Sequence, residues 1–416
     1  MKRESPTFCV MPHMGLAVQN EGDICACNMN PLSFKVDGQV ARINNITIDQ
    51  GWNSLSRKKL ATILDIGVRH ESCKACWDAE DAGQKSPRQD LNEIYGHLDP
   101  LRDQPRIVIL KPGNTCNASC RTCRPETSSS WYSDAYKLHK IKNPDVSFKE
   151  YIQEFEDVKN SFAKNSPNMW PVLNKWYEHL EFLDLYGGEP WLIDGVWNSL
   201  KTAVDEGHAH KIGLRIHTNA SVWNDEYVDI LSKFKKVTLG ISLDSHIAAE
   251  SEYIRNGINY EKAVENTYKF LDWASKHDNV ETYISVTVST LNIWHLLETV
   301  ETFKKMFGFA IGFKNYVYTP DHYDIRHLPK DVKQQVINKL LKDKDKDSFM
   351  PVINFMNQII PGCVMYWPKF CLETEKLDKI RNQDFKTVFP EWYKVLEPYW
   401  DYRTSHAEWY GSCSIE

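Results

Sequence analysis

The 416-residue chain has no apolar run approaching the ~18 residues that a membrane-spanning helix needs. It has no surplus of positive charge either: 50 Lys and Arg stand against 56 Asp and Glu, a net charge of −6. That balance removes the strongest argument for a surface built to bind nucleic-acid phosphates, although a local basic groove stays open. Near the start, Pro12 and His13 interrupt what would have to be the apolar stretch of a secretion signal. No internal repeat of solenoid period recurs. None of His13, His208, His210 and His217 stands in a spacing that would mark a histidine metal site. What remains is ordinary globular composition and the expectation of a cytoplasmic protein without a membrane partner.

Cysteine is what the chain has in quantity. Its 11 cysteines fall in groups: Cys9, Cys25 and Cys27; Cys73 and Cys76; Cys116, Cys120 and Cys123; Cys363, Cys371 and Cys413. Grouped thiols in a reducing compartment point to metal rather than to a disulfide framework, which belongs to small secreted domains. The last group matches no ligand spacing and is expected to be ordinary buried thiol.

Residues 1–105 are rich in polar turns and poor in apolar stretches, as in a small loop-rich module held by something other than a large core. From 106 onward, β-branched or apolar runs at 107–110, 182–186, 212–217, 237–243, 283–289 and 310–318 alternate with amphipathic helical patterns. Six such runs predict an α/β fold with a parallel sheet, open or closed into a partial barrel, over 106–320. In such folds the chemistry sits in loops at the C-terminal ends of the strands. Residues 124–180, with Trp131, Tyr132, Trp170, Trp176 and Tyr177, predict a helical insertion. Residues 321–416 form a mixed C-terminal extension, to which the sequence attaches no function.

The strongest motif follows the first predicted strand: Cys116-x3-Cys120-x2-Cys123. Random placement of 11 cysteines in 416 residues gives about 0.008 such runs. A [4Fe–4S] cluster ordinarily takes four cysteines, so three on one loop can hold three corners and leave one iron open. Spacing alone also admits a zinc site, or a closed electron-carrying cluster, completed by a distant cysteine. Later strand ends carry Tyr186-Gly187-Gly188-Glu189-Pro190, His217-Thr218-Asn219-Ala220 and Ile241-Ser242-Leu243-Asp244-Ser245. Tyr253-Ile254-Arg255-Asn256-Gly257 follows. Paired glycines let a backbone approach a ligand, and an arginine fork suits a carboxylate. Taken singly these residues read as structural; their order on successive strand ends is the signal.

In that order the motifs resemble the radical S-adenosylmethionine (radical SAM) superfamily. The resemblance implies a partial (β/α)6 TIM-like barrel and a [4Fe–4S] cluster on Cys116, Cys120 and Cys123. The open iron of that cluster would chelate SAM. Gly187, Gly188 and Glu189 would meet the SAM amino group, Ser242 its ribose or methionine part, and Arg255 its carboxylate, with Asn219 and Asp244 nearby. An electron would cleave SAM to methionine and a 5′-deoxyadenosyl radical, which abstracts hydrogen from a substrate. The chain departs from the family in having Thr122 where an aromatic residue is common, and Ser245 where glycine is usual.

The N-terminal text resembles the SPASM/twitch auxiliary-cluster domain of the same superfamily. It runs Phe8-Cys9, Gly22-x2-Cys25, Gly51-Trp52-Asn53, then Cys73-x2-Cys76 with Ser86-Pro87-Arg88 after it. Here it precedes the barrel. The resemblance implies a second [4Fe–4S] cluster on Cys9, Cys25, Cys73 and Cys76, with Cys27 the alternative to Cys25. A structural zinc knuckle would use the same thiolates. The implied partners are a reductant such as ferredoxin or flavodoxin and a peptide or small-molecule substrate. The rival readings are the same chemistry on a small metabolite, and a non-catalytic iron–sulfur electron-transfer or binding protein.

Overall fold

The apolar runs fold into strands because a sheet covered on one side by helices buries every second residue of each strand. The computed structural model describes residues 3–400 apart from 31, 82–84, 164, 309–310, 359 and 361–362. Ten strands lie among them: β1 (Gly15–Val18), β2 (Ile24–Cys25), β3 (Lys35–Val36), β4 (Gln39–Val40), β5 (Ile107–Leu110), β6 (Phe182–Leu185), β7 (Gly213–Thr218), β8 (Lys236–Ser242), β9 (Val280–Val288) and β10 (Ile311–Tyr316). One sheet runs in the order β10-β9-β8-β7-β6-β5-β1-β2, and β3 and β4 form a separate hairpin. Strands β5 to β10 are the six runs expected from the sequence, parallel throughout and in sequential order.

Helices Asp194–Asp205, Asp225–Ser232, Tyr260–Ala274 and Leu296–Phe307 make the crossovers between successive strands from β6 to β10. Asn224 and Asn259 start two of them, their side chains accepting the first-turn N–H groups of Tyr227 and Lys262. Alternation decides which way each strand faces. On β7, Leu214 and Ile216 are buried in the apolar core, while Arg215 and His217 line a cavity. On β9, Ile284 and Val286 are buried in that core, while Tyr283, Ser285 and Thr287 line the cavity. Lys111, just past β5, and Asn315, on β10, line it too. Opposite ends of the six-strand run therefore face one space, so the sheet is curved as in a partial barrel with a polar interior.

The N-terminal segment does not stand apart from this sheet. Strand β1 pairs parallel with β5, from Gly15 opposite Ile107 to Val18 opposite Leu110, and β2 pairs antiparallel with β1. Phe8, Val10, Met14, Leu16, Val18, Ile24 and Trp52 belong to the same buried cluster as the barrel strands. Residues on both sides of position 105 thus share one sheet and one buried core. Buried side chains in residues 1–105 come from these short strands and from helices such as Leu55–Asp65, which buries Arg57, Leu60, Ala61 and Leu64.

The insertion at 124–180 is helical: Tyr132–Lys140, Phe148–Ser161 and Trp170–Trp176. Its Trp131 and Ala135 pack with Leu377 of the C-terminal helix Cys363–Arg381. Among the late cysteines Cys371 is fully buried; the side chain of Cys363 and all of Cys413 lie outside the described residues. Among the described residues no helix is long and apolar enough to cross a membrane.

Candidate metal-cluster and cofactor site

The cavity at the C-terminal ends of the strands measures about 700 Å³. Cys116, Cys120 and Cys123 line it, together with Gly187, Gly188, Glu189, Asn219, Ser242 and Arg255. Five segments separated by up to 139 positions thus meet at one cavity. Asp244 is the exception: it is 1% exposed and does not line the cavity.

The cysteine loop is held from every side. Ser119 N–H donates to Asn256 O and Arg121 N–H to Ile254 O, both at 2.8 Å, so the 253–257 segment braces the loop. Gly257, at φ +96°, makes this approach: a Cβ there would lie 2.9 Å from Asn117 O. Gly188, at φ +59°, does the same from β6, its Cβ falling 2.6 Å from Thr115 O. From the insertion, Trp131 Nε1 donates to Cys120 O at 2.8 Å, and Ser130 Oγ to Cys116 O at 2.8 Å.

The C-terminal helix completes the cage, a role no local sequence signal announces. Arg381 donates to Ser119 O at 2.8 Å and pairs with Asp134 at 2.9 Å. Arg121, inside the cysteine run and fully buried, pairs with Asp378 and donates to Gln383 Oε1 at 2.8 Å. Its guanidinium lies 3.7 Å from the Tyr253 ring centroid, and Tyr253 itself donates to Asp378 at 2.7 Å.

Glu189 sits beneath the glycine turn. Its carboxylate accepts from Asn219 N–H at 2.7 Å, Thr218 Oγ1 at 2.9 Å and Trp191 N–H at 3.2 Å, which ties the ends of β6 and β7 together. Burial pushes its pKa up to about 7 despite these donors. Arg255 contacts the Asp244 carboxylate at 2.8 Å, and Asp244 also accepts from Thr287 N–H at 2.8 Å. Asp244 therefore aims the arginine from behind rather than facing a ligand.

Four thiols meet at a second cavity, and they are not quite the expected four. Cys9, Cys27, Cys73 and Cys76 line it; Cys25 does not. Strand β2 ends at Cys25, whose thiol accepts from Gln19 Nε2 at 3.3 Å and borders a different cleft. The bend at Ala26 turns Cys27 toward the other thiols. Burial pushes Cys9 up to about 12 and holds Cys27 well above its ordinary value. Among the described residues, no three such side chains converge closely enough to share a single metal ion. Asn28 lines both cavities, so the four-thiol site adjoins the barrel interior.

Sequence reasoning missed the charged pair on the inner wall. Asp184 on β6 accepts from Arg215 Nε on β7 at 3.0 Å, with Tyr186, His217, Tyr283 and Lys111 around it in the same cavity. A charged residue inside an otherwise apolar strand run was the available signal, since it must face a polar interior.

No family model matches the chain, and no curated protein matches it. Among solved structures it is similar to anSMEcpe with bound AdoMet, at TM-score 0.37 and 16% identity over 56% of this chain and 60% of that one. It is also similar to Streptococcus suis SuiB bound to S-adenosylmethionine, at TM-score 0.36 and 12% identity over 86% and 73% of the two chains. The chain spans about 60% of the length of anSMEcpe. Likenesses at TM-scores this low carry no weight for chemistry, which rests on the residues above.

Proposed function

We propose that the protein is a radical SAM enzyme. The observation that carries the reading is one cavity lined by Cys116, Cys120 and Cys123 together with the Gly187–Glu189 turn, Asn219, Ser242 and Arg255. Three soft thiol donors on one braced loop fit three corners of a [4Fe–4S] cluster, and the cavity beside them offers both a carboxylate partner and close backbone approach. When bound, cluster and SAM supply a one-electron cleavage that yields a 5′-deoxyadenosyl radical able to take hydrogen from a substrate.

The chain's own residues then position and exclude. Arg255, held by Asp244, presents its guanidinium to the SAM carboxylate. The Gly187–Gly188 backbone, free of Cβ atoms, meets the amino group, and Glu189 fixes that turn against β7. Tyr186, His217 and Tyr283 line the cavity and offer the rings that Thr122 does not for stacking on the adenine. The insertion and the C-terminal helix keep the cysteine loop from opening to water.

We assign Cys9, Cys27, Cys73 and Cys76 to a second [4Fe–4S] cluster, in place of the set with Cys25. Its place next to the barrel interior supports a role in coordinating substrate or relaying an electron. By resemblance to enzymes with such auxiliary sites, the substrate is a peptide or protein side chain, and a ferredoxin or flavodoxin supplies the electron. The metal itself is the test. Anaerobically reconstituted protein is expected to hold two clusters, about eight iron and eight sulfide per chain. Zinc in place of iron would overturn the reading.

A further inference from the structure

The cations lining the cavity are not all accounted for. Lys111, Arg124, Arg215 and Arg255 line it, against two carboxylates, Asp184 and Glu189. Arg255 contacts Asp244, Arg215 pairs with Asp184, and Arg124 lies 3.8 Å from Glu126. Glu189 is already satisfied by backbone and hydroxyl donors. Lys111 is different. Among the described residues its ammonium has no carboxylate within ion-pair distance, and its one close partner is the Tyr186 ring, 5.3 Å away at the centroid.

Chain position makes this arrangement durable. Lys111 directly follows β5, and its N–H donates to Val18 O at 2.9 Å, so the backbone below it is part of the sheet. Burial lowers its pKa, with Cys25, Glu21 and Asp184 opposing only at longer range. A half-buried ammonium without a counter-charge costs stability, and a ligand anion would repair it. Arg215 adds a second donor: its Nε and Nη2 are used on Asp184, and its Nη1 makes no hydrogen bond among the described residues.

A cluster on three thiolates and SAM carry net charges of opposite sign that nearly cancel, so binding both leaves this cationic surplus in place. We propose that Lys111 Nζ, with Arg215 Nη1, binds an oxyanion carried by the substrate, a carboxylate or a phosphate. The proposal rests on reading the cavity as the SAM-and-substrate chamber. It narrows the substrate to molecules or side chains bearing such a group. Lys111 acts as a point charge, and the guanidinium fork of Arg215 is already occupied, so the recognised group need not be planar.

The test is calorimetric titration of the reconstituted full chain, with SAM present, by inorganic phosphate and separately by succinate. Saturable single-site binding of at least one probe is expected. Lys111→Gln and Lys111→Met should weaken it about tenfold or more, the loss of one charged hydrogen bond, while Lys111→Arg should retain it. Phosphate alone would identify a phosphorylated substrate, and succinate alone a carboxylate. Binding of neither probe, or equal binding by Lys111→Gln, would overturn the proposal. So would a probe that binds without SAM and is expelled by it, since Lys111 would then serve the SAM carboxylate. Failure of SAM itself to bind is a separate result, which overturns the function reading; titration without SAM would still read the oxyanion site.

Discussion

Asp378→Asn removes the counter-charge of a fully buried arginine that lies between two expected cluster ligands. Arg121 is 0% exposed, and its Nε and Nη1 find no hydrogen-bond partner. Its charge is balanced by Asp378, by the Gln383 oxygen at 2.8 Å and by the Tyr253 ring. Breaking a buried pair by neutralising one member typically costs about 3–5 kcal/mol, because the other charge is left uncompensated. The Gln383 contact and the ring remain, which places the expected cost near the lower end, about 3 kcal/mol. Urea unfolding followed by tryptophan fluorescence reads this as a fall in midpoint at unchanged slope. The double change Arg121→Met with Asp378→Leu removes both charges and should recover most of the loss. The iron content of Asp378→Asn should also fall, since Arg121, Tyr253 and the C-terminal helix clamp the loop through this carboxylate. A midpoint shift worth less than about 1 kcal/mol, with iron unchanged, would refute the clamp.

Three further outcomes follow from the site. Cys27→Ala should lower iron by about half while Cys25→Ala leaves it unchanged, read by metal analysis of the reconstituted variants. Arg255→Lys should raise the SAM dissociation constant about tenfold or more, because an ammonium cannot reproduce the fork, and Asp244→Asn should weaken SAM binding in the same direction. Gly188→Ala should cost about 1–3 kcal/mol in a thermal or urea melt, since its φ is +59° and its Cβ would meet Thr115 O at 2.6 Å.

The sequence carried the barrel because its six strands are local, periodic and bounded by turns. It carried the cysteine loop because three thiols in eight residues need no partner to be noticed. It did not separate Cys25 from Cys27, since a single bend at Ala26 decides which thiol meets Cys9, and that bend follows from β2 docking on β1. Asp244 was read as a ligand contact, yet burial puts it behind Arg255; it lies two positions past Ser242, the last residue of β8, where strand alternation no longer sets the facing of a side chain. The clamp of Arg121, Asp378 and Arg381 spans some 260 positions. Pairings of that reach are set by packing alone and leave no pattern in the neighbouring text. Residues 1–105 looked coreless because their buried side chains are dispersed over short strands and helices, such as Leu60 and Leu64 of the helix Leu55–Asp65, that share the barrel's core.

The most direct test of the central claim is the fate of SAM itself. Reconstituted protein given SAM and a strong reductant without oxygen is predicted to form 5′-deoxyadenosine, measured by chromatography and mass spectrometry. Cys120→Ala is predicted to form none while keeping the iron held by the N-terminal thiols. Product from Cys120→Ala, or none from a wild-type chain holding both clusters, would contradict the account.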